Sequence, residues 1–261
     1  MCIFGKTKKM KVYKYIAIVA SALVLGVSCK DKDKDNGNGL TPDEDKVRVQ
    51  IKTLYNGEPL DFNSIYLTEE GYRIQFSKVN LIMTDFHNDG EELFKSAVYR
   101  FENSNILHEG PGDYTKFSKL SGRHGVSEEE NHSDPAARDL TDPLNIMHVS
   151  DMHWGWNSGY IFAMIEGRID TTGTEGAPLN VIWSYHTGKT FLNQYIEFEE
   201  VNWTKVNDLM HETIWYLDAE KIFDGEHRID IKSKLSSHTN PSEEAFSQRI
   251  AENIKYALRA N

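Results

Sequence analysis

The sequence predicts a mainly β fold, an antiparallel β-sandwich with a short C-terminal helix. Three observations carry that prediction. Short segments that alternate apolar and polar residues recur from Val47 to Ile231, no ten-residue helical periodicity separates them, and a single capped amphipathic helix stands at the end.

Taken in order, Val47-Arg-Val-Gln-Ile-Lys-Thr53 puts an apolar side chain at every second position, the pattern of a half-buried strand. Residues 72–76 repeat it and 79–83 continue it, and Asn88-Asp-Gly90 then marks a turn. Further strands are predicted over 97–101, 113–120, 160–169, 179–186, 194–201, 213–217 and 228–231. Residues 122–143 break the series: Glu128-Glu-Glu130, His132, Asp134, Asp139 and Asp142 form a polar stretch without a period, read as a solvated insertion. Its carboxylates lack the twelve-residue spacing of an EF-type calcium loop. The closing helix has Asn240 as N-cap, Pro241 at its first position and Glu243 three after the cap. Phe246, Ile250, Ile254, Ala257 and Leu258 then fall on one apolar face that packs on a sheet.

The N-terminus reads as a targeting segment. Residues 10–29 have a basic start, an apolar run of about a dozen residues and a small residue before a cysteine, the layout of a secretory signal. Gly26-Val-Ser-Cys29, with Leu25 one place earlier than usual, resembles a bacterial lipobox, which makes Cys29 the expected lipid-attachment residue. The organisation is therefore a signal peptide over 1–29, a flexible charged tether over 30–45 and a folded domain over 46–261. Acidic residues directly after the cysteine resemble the surface-export signal of Bacteroidota-type lipoproteins. The expected location is the outer membrane and the cell surface, with the membrane reached through the lipid.

Composition narrows the function. A net charge of −11 excludes a nucleic-acid partner, which needs a basic face. Nucleophile elbow, phosphate loop, dinucleotide fingerprint and zincin helix are all lacking, so a binding protein is expected rather than an enzyme. The other cysteine, Cys2, goes with the signal, so a metal site in the mature chain must use nitrogen, oxygen or thioether donors.

The densest chemistry lies in Met147-His-Val-Ser-Asp-Met-His-Trp-Gly-Trp-Asn-Ser-Gly-Tyr-Ile-Phe-Ala-Met-Ile-Glu-Gly167. An extended backbone there points Trp154 and Trp156 one way and His153 the other. Of the ten histidines, His186 stands out, because it ends the apolar run Val181-Ile-Trp-Ser-Tyr185 and precedes Thr187-Gly188, at a strand end that a metal can approach. Two imidazoles with a further soft or neutral donor suit Cu(I). Met147, Met152 and Met164 are thioether candidates whose alternative is core packing. The two indoles read equally as a core clamp.

Asp151-Met-His-Trp-Gly-Trp-Asn-Ser-Gly-Tyr-Ile-Phe162, followed by Ile165-Glu-Gly167, resembles the signature of MbnP-like proteins, a family of bacterial exported and surface copper-binding proteins. Tyr185-His-Thr-Gly188 and Ser237-His-Thr239, before a helix with Ile250-Ala-Glu-Asn253, fit the same family in the same order. His153 departs from the pattern by standing where the family usually has an aromatic residue. The resemblance implies copper, held as Cu(I) for acquisition or handover to a TonB-type transporter. It also implies a di-haem partner enzyme of the MauG type that oxidises a motif tryptophan, Trp154 or Trp156, to kynurenine. An intact indole offers only an N–H donor, whereas kynurenine has an arylamine nitrogen and a carbonyl oxygen to join the histidines. The candidate metal residues are His186, His153, His148 and His238. The competing expectation is a carbohydrate- or peptide-binding surface module, with Trp154 and Trp156 as a stacking platform and no metal.

Overall fold

Two hydrogen-bonded sheets enclose the main core in the computed structural model, which describes residues 44–155 and 157–261. The expected signal peptide with Cys29, the expected tether up to residue 43, and Trp156 lie outside the described residues. The strands in chain order are β1 (Lys46–Tyr55), β2 (Glu58–Pro59), β3 (Tyr66–Leu67), β4 (Arg73–Asn88), β5 (Glu91–Arg100), β6 (Ile106–Pro111), β7 (Leu120–His124), β8 (Ile161–Asp170), β9 (Val181–Gly188), β10 (Gln194–Phe198), β11 (Thr204–Asn207), β12 (Met210–Asp218), β13 (Ser236–Ser237) and β14 (Leu258–Ala260). One sheet runs β11-β12-β1-β2, with β6 on β1 and β14 on β12. The other runs β10-β7-β4-β8-β9-β13, with β3 and β5 on β4.

The mainly β sandwich is as expected, and its pairings are antiparallel with two exceptions among the described residues. β1 and β12 run parallel from Lys46 opposite Met210 to Leu54 opposite Asp218, and β13 runs parallel to β9. A parallel pair needs a long crossover, and the second sheet's strands β3–β5 and β7–β10 lie within it between β1 and β12. Val47, Val49 and Ile51 bury one face of β1 as their alternation requires. Across the core, Trp215 of β12 meets Phe86 of β4 at 4.8 Å and Phe198 of β10 at 4.9 Å between ring centroids, which ties the sheets together.

Residues 79–83 continue 72–76 in one long strand, β4, as expected, and a bulge between Phe76 and Lys78 absorbs the break in alternation. Two local readings change. Most of 113–120 is not a strand: the Asp113 carboxylate accepts from the Thr115 N–H at 3.0 Å and its hydroxyl at 2.7 Å and turns the chain into a short 3-10 helix. Residues 228–231 make only an isolated bridge, Asp224 with Arg228, before Asp230 caps a turn. The C-terminal helix forms as expected. The Glu243 carboxylate accepts from the backbone N–H groups of His238 (3.0 Å) and Asn240 (3.3 Å), and the helix buries Ile250, Ile254 and Ala257.

The second sheet is covered on both faces. On its outer side Ile82, Phe162 and Met164 pack against Val126, from the stretch expected to be solvated, and against Leu144, Val149, Met152 and Tyr160, which follow it. That stretch holds one short helix, α1 (Glu128–Asn131), and a second, α2 (Ile146–Val149), follows it. Side chains rather than periodic structure fix it in place. The Asn131 side-chain Oδ1 accepts the Tyr160 N–H, the Tyr160 hydroxyl donates to the Leu144 carbonyl, and Arg100 donates bidentately to Asp151 at 2.7 Å.

One buried histidine makes this fold sensitive to acid. His124 on β7 is fully buried, its Nε2–H donates to the Phe162 carbonyl at 3.2 Å, and its Nδ1 has no partner. Burial pushes its pKa down to about 4. The unfolded chain, with a pKa near 6.5, binds more protons between those values, so stability is full above pH ~6.5 and falls as pH drops towards ~4, by about 3 kcal/mol in all. Urea unfolding followed across this window is expected to show that slope, and a flatter one in His124→Gln.

Candidate metal centre

The site begins with strand register on the outer face of the second sheet. Antiparallel pairing of β8 and β9 sets Met164 opposite His186 and Glu166 opposite Ser184. Glu166 leans across to His186, with 2.8 Å between Oε1 and Nε2. A carboxylate accepts only, so Nε2 carries the proton and the imidazole lone pair lies on Nδ1. Burial holds the His186 pKa below the ordinary histidine range, with Glu166 opposing and with His238 and Lys78 lowering it further. The ring is therefore neutral at pH 7 and able to donate its lone pair.

The second imidazole arrives on a parallel strand. β13 pairs Ser236 with Ser184 and Ser237 with Tyr185, so the next residue, His238, comes alongside His186. Their rings lie 4.6 Å apart and nearly perpendicular, at 87°. Flanking contacts hold this short segment: the Ser237 hydroxyl shares a 2.9 Å hydrogen bond with Ser247, and the Thr239 hydroxyl donates to the His186 carbonyl at 3.0 Å. Behind it Glu243 accepts from Lys234 and from the His238 and Asn240 N–H groups, which hold its pKa down to about 2 although burial pushes the other way.

Trp154 completes the cluster from a third stretch of chain. Its N–H donates to the Gly159 carbonyl, and the Gly159 N–H donates back to the Gly155 carbonyl, closing a tight loop. Gly155 (φ 111°) and Gly159 (φ 70°) occupy backbone conformations that suit glycine. The indole then packs over Gly188 of β9, where a Cβ would lie 2.5 Å from its Cζ3 atom. Trp154 and His238 share a cleft of about 440 Å³ with Ser158, Lys189, Thr239, Asn240 and Pro241.

The other candidates lie elsewhere. His153 packs edge-on against Tyr160 at 5.0 Å, and its Nδ1 accepts the Gly155 N–H at 3.1 Å. His148, in α2, donates from Nε2 to the Leu140 carbonyl at 2.8 Å. Structure thus brings together His186, His238 and Trp154, and sets His153 and His148 to other tasks. Among the described residues no group of three or more His, Cys, Asp or Glu side chains could by itself hold a metal ion. Glu166 is the functional residue that the linear reading did not single out. Its signal is a carboxylate that directly follows the apolar run Ile161–Ile165 of β8.

A family model for MbnP matches residues 44–242, which contain the cluster and nearly all of the sandwich. The chain belongs to the MbnP family. A solved structure of MbnP from Methylosinus trichosporium is similar at 13% identity, with a TM-score of 0.49, over 77% of this chain and 86% of that chain. Among curated proteins nothing matches. The MbnP match places the Trp154 loop, the β9 histidine and His238 within one family domain.

Proposed function

We propose that this MbnP-family protein binds copper as Cu(I) through His186 and His238, with Trp154, oxidised to kynurenine, providing a further donor. Family membership is consistent with a copper-related function. The observation that carries the finer reading is the adjacency of two imidazoles, one with its Nε2–H fixed on a carboxylate. That carboxylate–imidazole arrangement orients a ligating histidine and fixes which nitrogen faces the metal. The residues fit the group: neutral imidazole nitrogens, with the one adjacent carboxylate, Glu166, engaged on a ring N–H, suit Cu(I) better than a hard cation.

Each side chain then has a task. His186 presents Nδ1, Glu166 holds the ring and its tautomer, and His238 brings the second imidazole on a segment clamped by Thr239 and Glu243. The Gly188 floor sets the Trp154 ring beside them. When bound, copper would serve as cargo for acquisition or handover rather than as a centre for turnover, which makes this a binding protein. Lipidated Cys29 and the charged tether would hold it at the outer membrane within reach of a TonB-type transporter and of a di-haem MauG-type oxidase.

Peptide mass mapping of protein from the native host tests the assignment. The mass change of a tryptophan-to-kynurenine conversion is expected on Trp154 and not on Trp156. An unmodified Trp154 in copper-loaded protein would remove it from the donor set. The stacking-platform alternative predicts instead that soluble glycans quench tryptophan fluorescence with no metal present.

A further inference from the structure

Three methionines accompany the tryptophan motif, and the fold separates them. Met147 in α2 is 74% exposed, Met152 is fully buried beneath the loop, and Met164 sits on β8 directly opposite His186. Directly opposed residues of an antiparallel pair project from the same face, with Cβ atoms about 5 Å apart. Met164 is 5% exposed and belongs to the same apolar cluster against which Trp154 packs. Glu166, two residues further along the same face of β8, already engages His186 through Nε2. The residue directly across from His186 is therefore a thioether, and with Glu166 engaged on Nε2 no set of three His, Cys, Asp or Glu among the described residues could hold a metal ion there.

We infer that Met164 supplies a thioether donor to copper held by His186 and His238. This rests on the reading that the histidine pair binds copper. A thioether is soft and uncharged, so it strengthens Cu(I) binding and adds little for Cu(II). The site is thereby biased towards the reduced ion before any change at Trp154.

The test compares the wild type with Met164→Leu and Met152→Leu, near-isosteric changes that keep the fold. Each protein is loaded with Cu(I) and measured three ways: X-ray absorption, competition with a chromogenic Cu(I) chelator, and the Cu(II)/Cu(I) potential. The wild type is expected to show a sulfur neighbour that Met164→Leu lacks. Met164→Leu is also expected to bind Cu(I) about tenfold more weakly with Cu(II) affinity unchanged, which lowers the potential by about 59 mV. Met152→Leu should match the wild type in all three. A wild type without a sulfur neighbour, or a loss in Met152→Leu instead, overturns the assignment. Wild-type protein that takes up no Cu(I) refutes the parent reading as well. Uptake that His186→Ala abolishes and Met164→Leu leaves unchanged refutes the thioether alone.

Discussion

Replacing Gly167 by alanine is expected to destabilise the domain by about 3 kcal/mol or more, seen as a fall of roughly 10 °C in its unfolding midpoint. The residue lies in the middle of β8, opposite Phe76 of β4 and Trp183 of β9. A Cβ there would stand 2.1 Å from the Gln75 carbonyl oxygen and 2.6 Å from Cζ2 of Trp183. Neither neighbour can yield cheaply. The carbonyl belongs to a strand paired on both sides, and Trp183 is fully buried, set edge-on against Phe76 at 5.5 Å and Phe223 at 5.4 Å. The Glu-Gly pair of the motif thus combines two roles, a carboxylate for His186 and a bare backbone for Trp183. Thermal unfolding of Gly167→Ala within about 2 °C of the wild type would show that the strands can part locally and that this packing argument is wrong.

Particular residues show how much of this was legible in the chain. Val47, Val49 and Ile51 announce a strand because one face of β1 is buried and the other is not. The C-terminal helix was equally plain, since Asn240, Pro241 and Glu243 act locally and within one turn. Local signals also misled: Tyr114, Phe117 and Leu120 suggest a strand over 113–120, but the Asp113 side chain offers the backbone a better partner than a neighbouring strand. The cover over the second sheet escaped notice for a related reason. Val126 lies in irregular chain, and Leu144, Val149 and Met152 lie in a turn and two separate short helices, so together they leave no period to read.

The site divides the same way. His186 was visible as a polar residue at the end of an apolar strand, and the Trp154 motif by its composition. What could not be read was adjacency. His238 reaches His186 only through a two-residue parallel pairing, and Glu166 reaches it only once β8 and β9 are in register. His153, beside Trp154 in sequence, turns to Tyr160 instead. Closeness along the chain was a poorer guide to the cluster than position across the sheet.

The second large effect concerns His186 itself. Outer-sphere partners of metal-bound histidines are worth 10–100-fold in affinity, so loss of the ligand is expected to cost about 100-fold or more, and Glu166→Gln about tenfold. The side chain is 13% exposed and its hydrogen bond to Glu166 lies at the edge of the core, so His186→Ala should keep the fold. The most direct measurement is therefore a Cu(I) competition titration of wild type, Glu166→Gln and His186→Ala, with thermal unfolding recorded on the same samples. The account predicts graded losses of about 10-fold and at least 100-fold at nearly constant unfolding midpoint. Cu(I) affinity unchanged in a folded His186→Ala protein would contradict it.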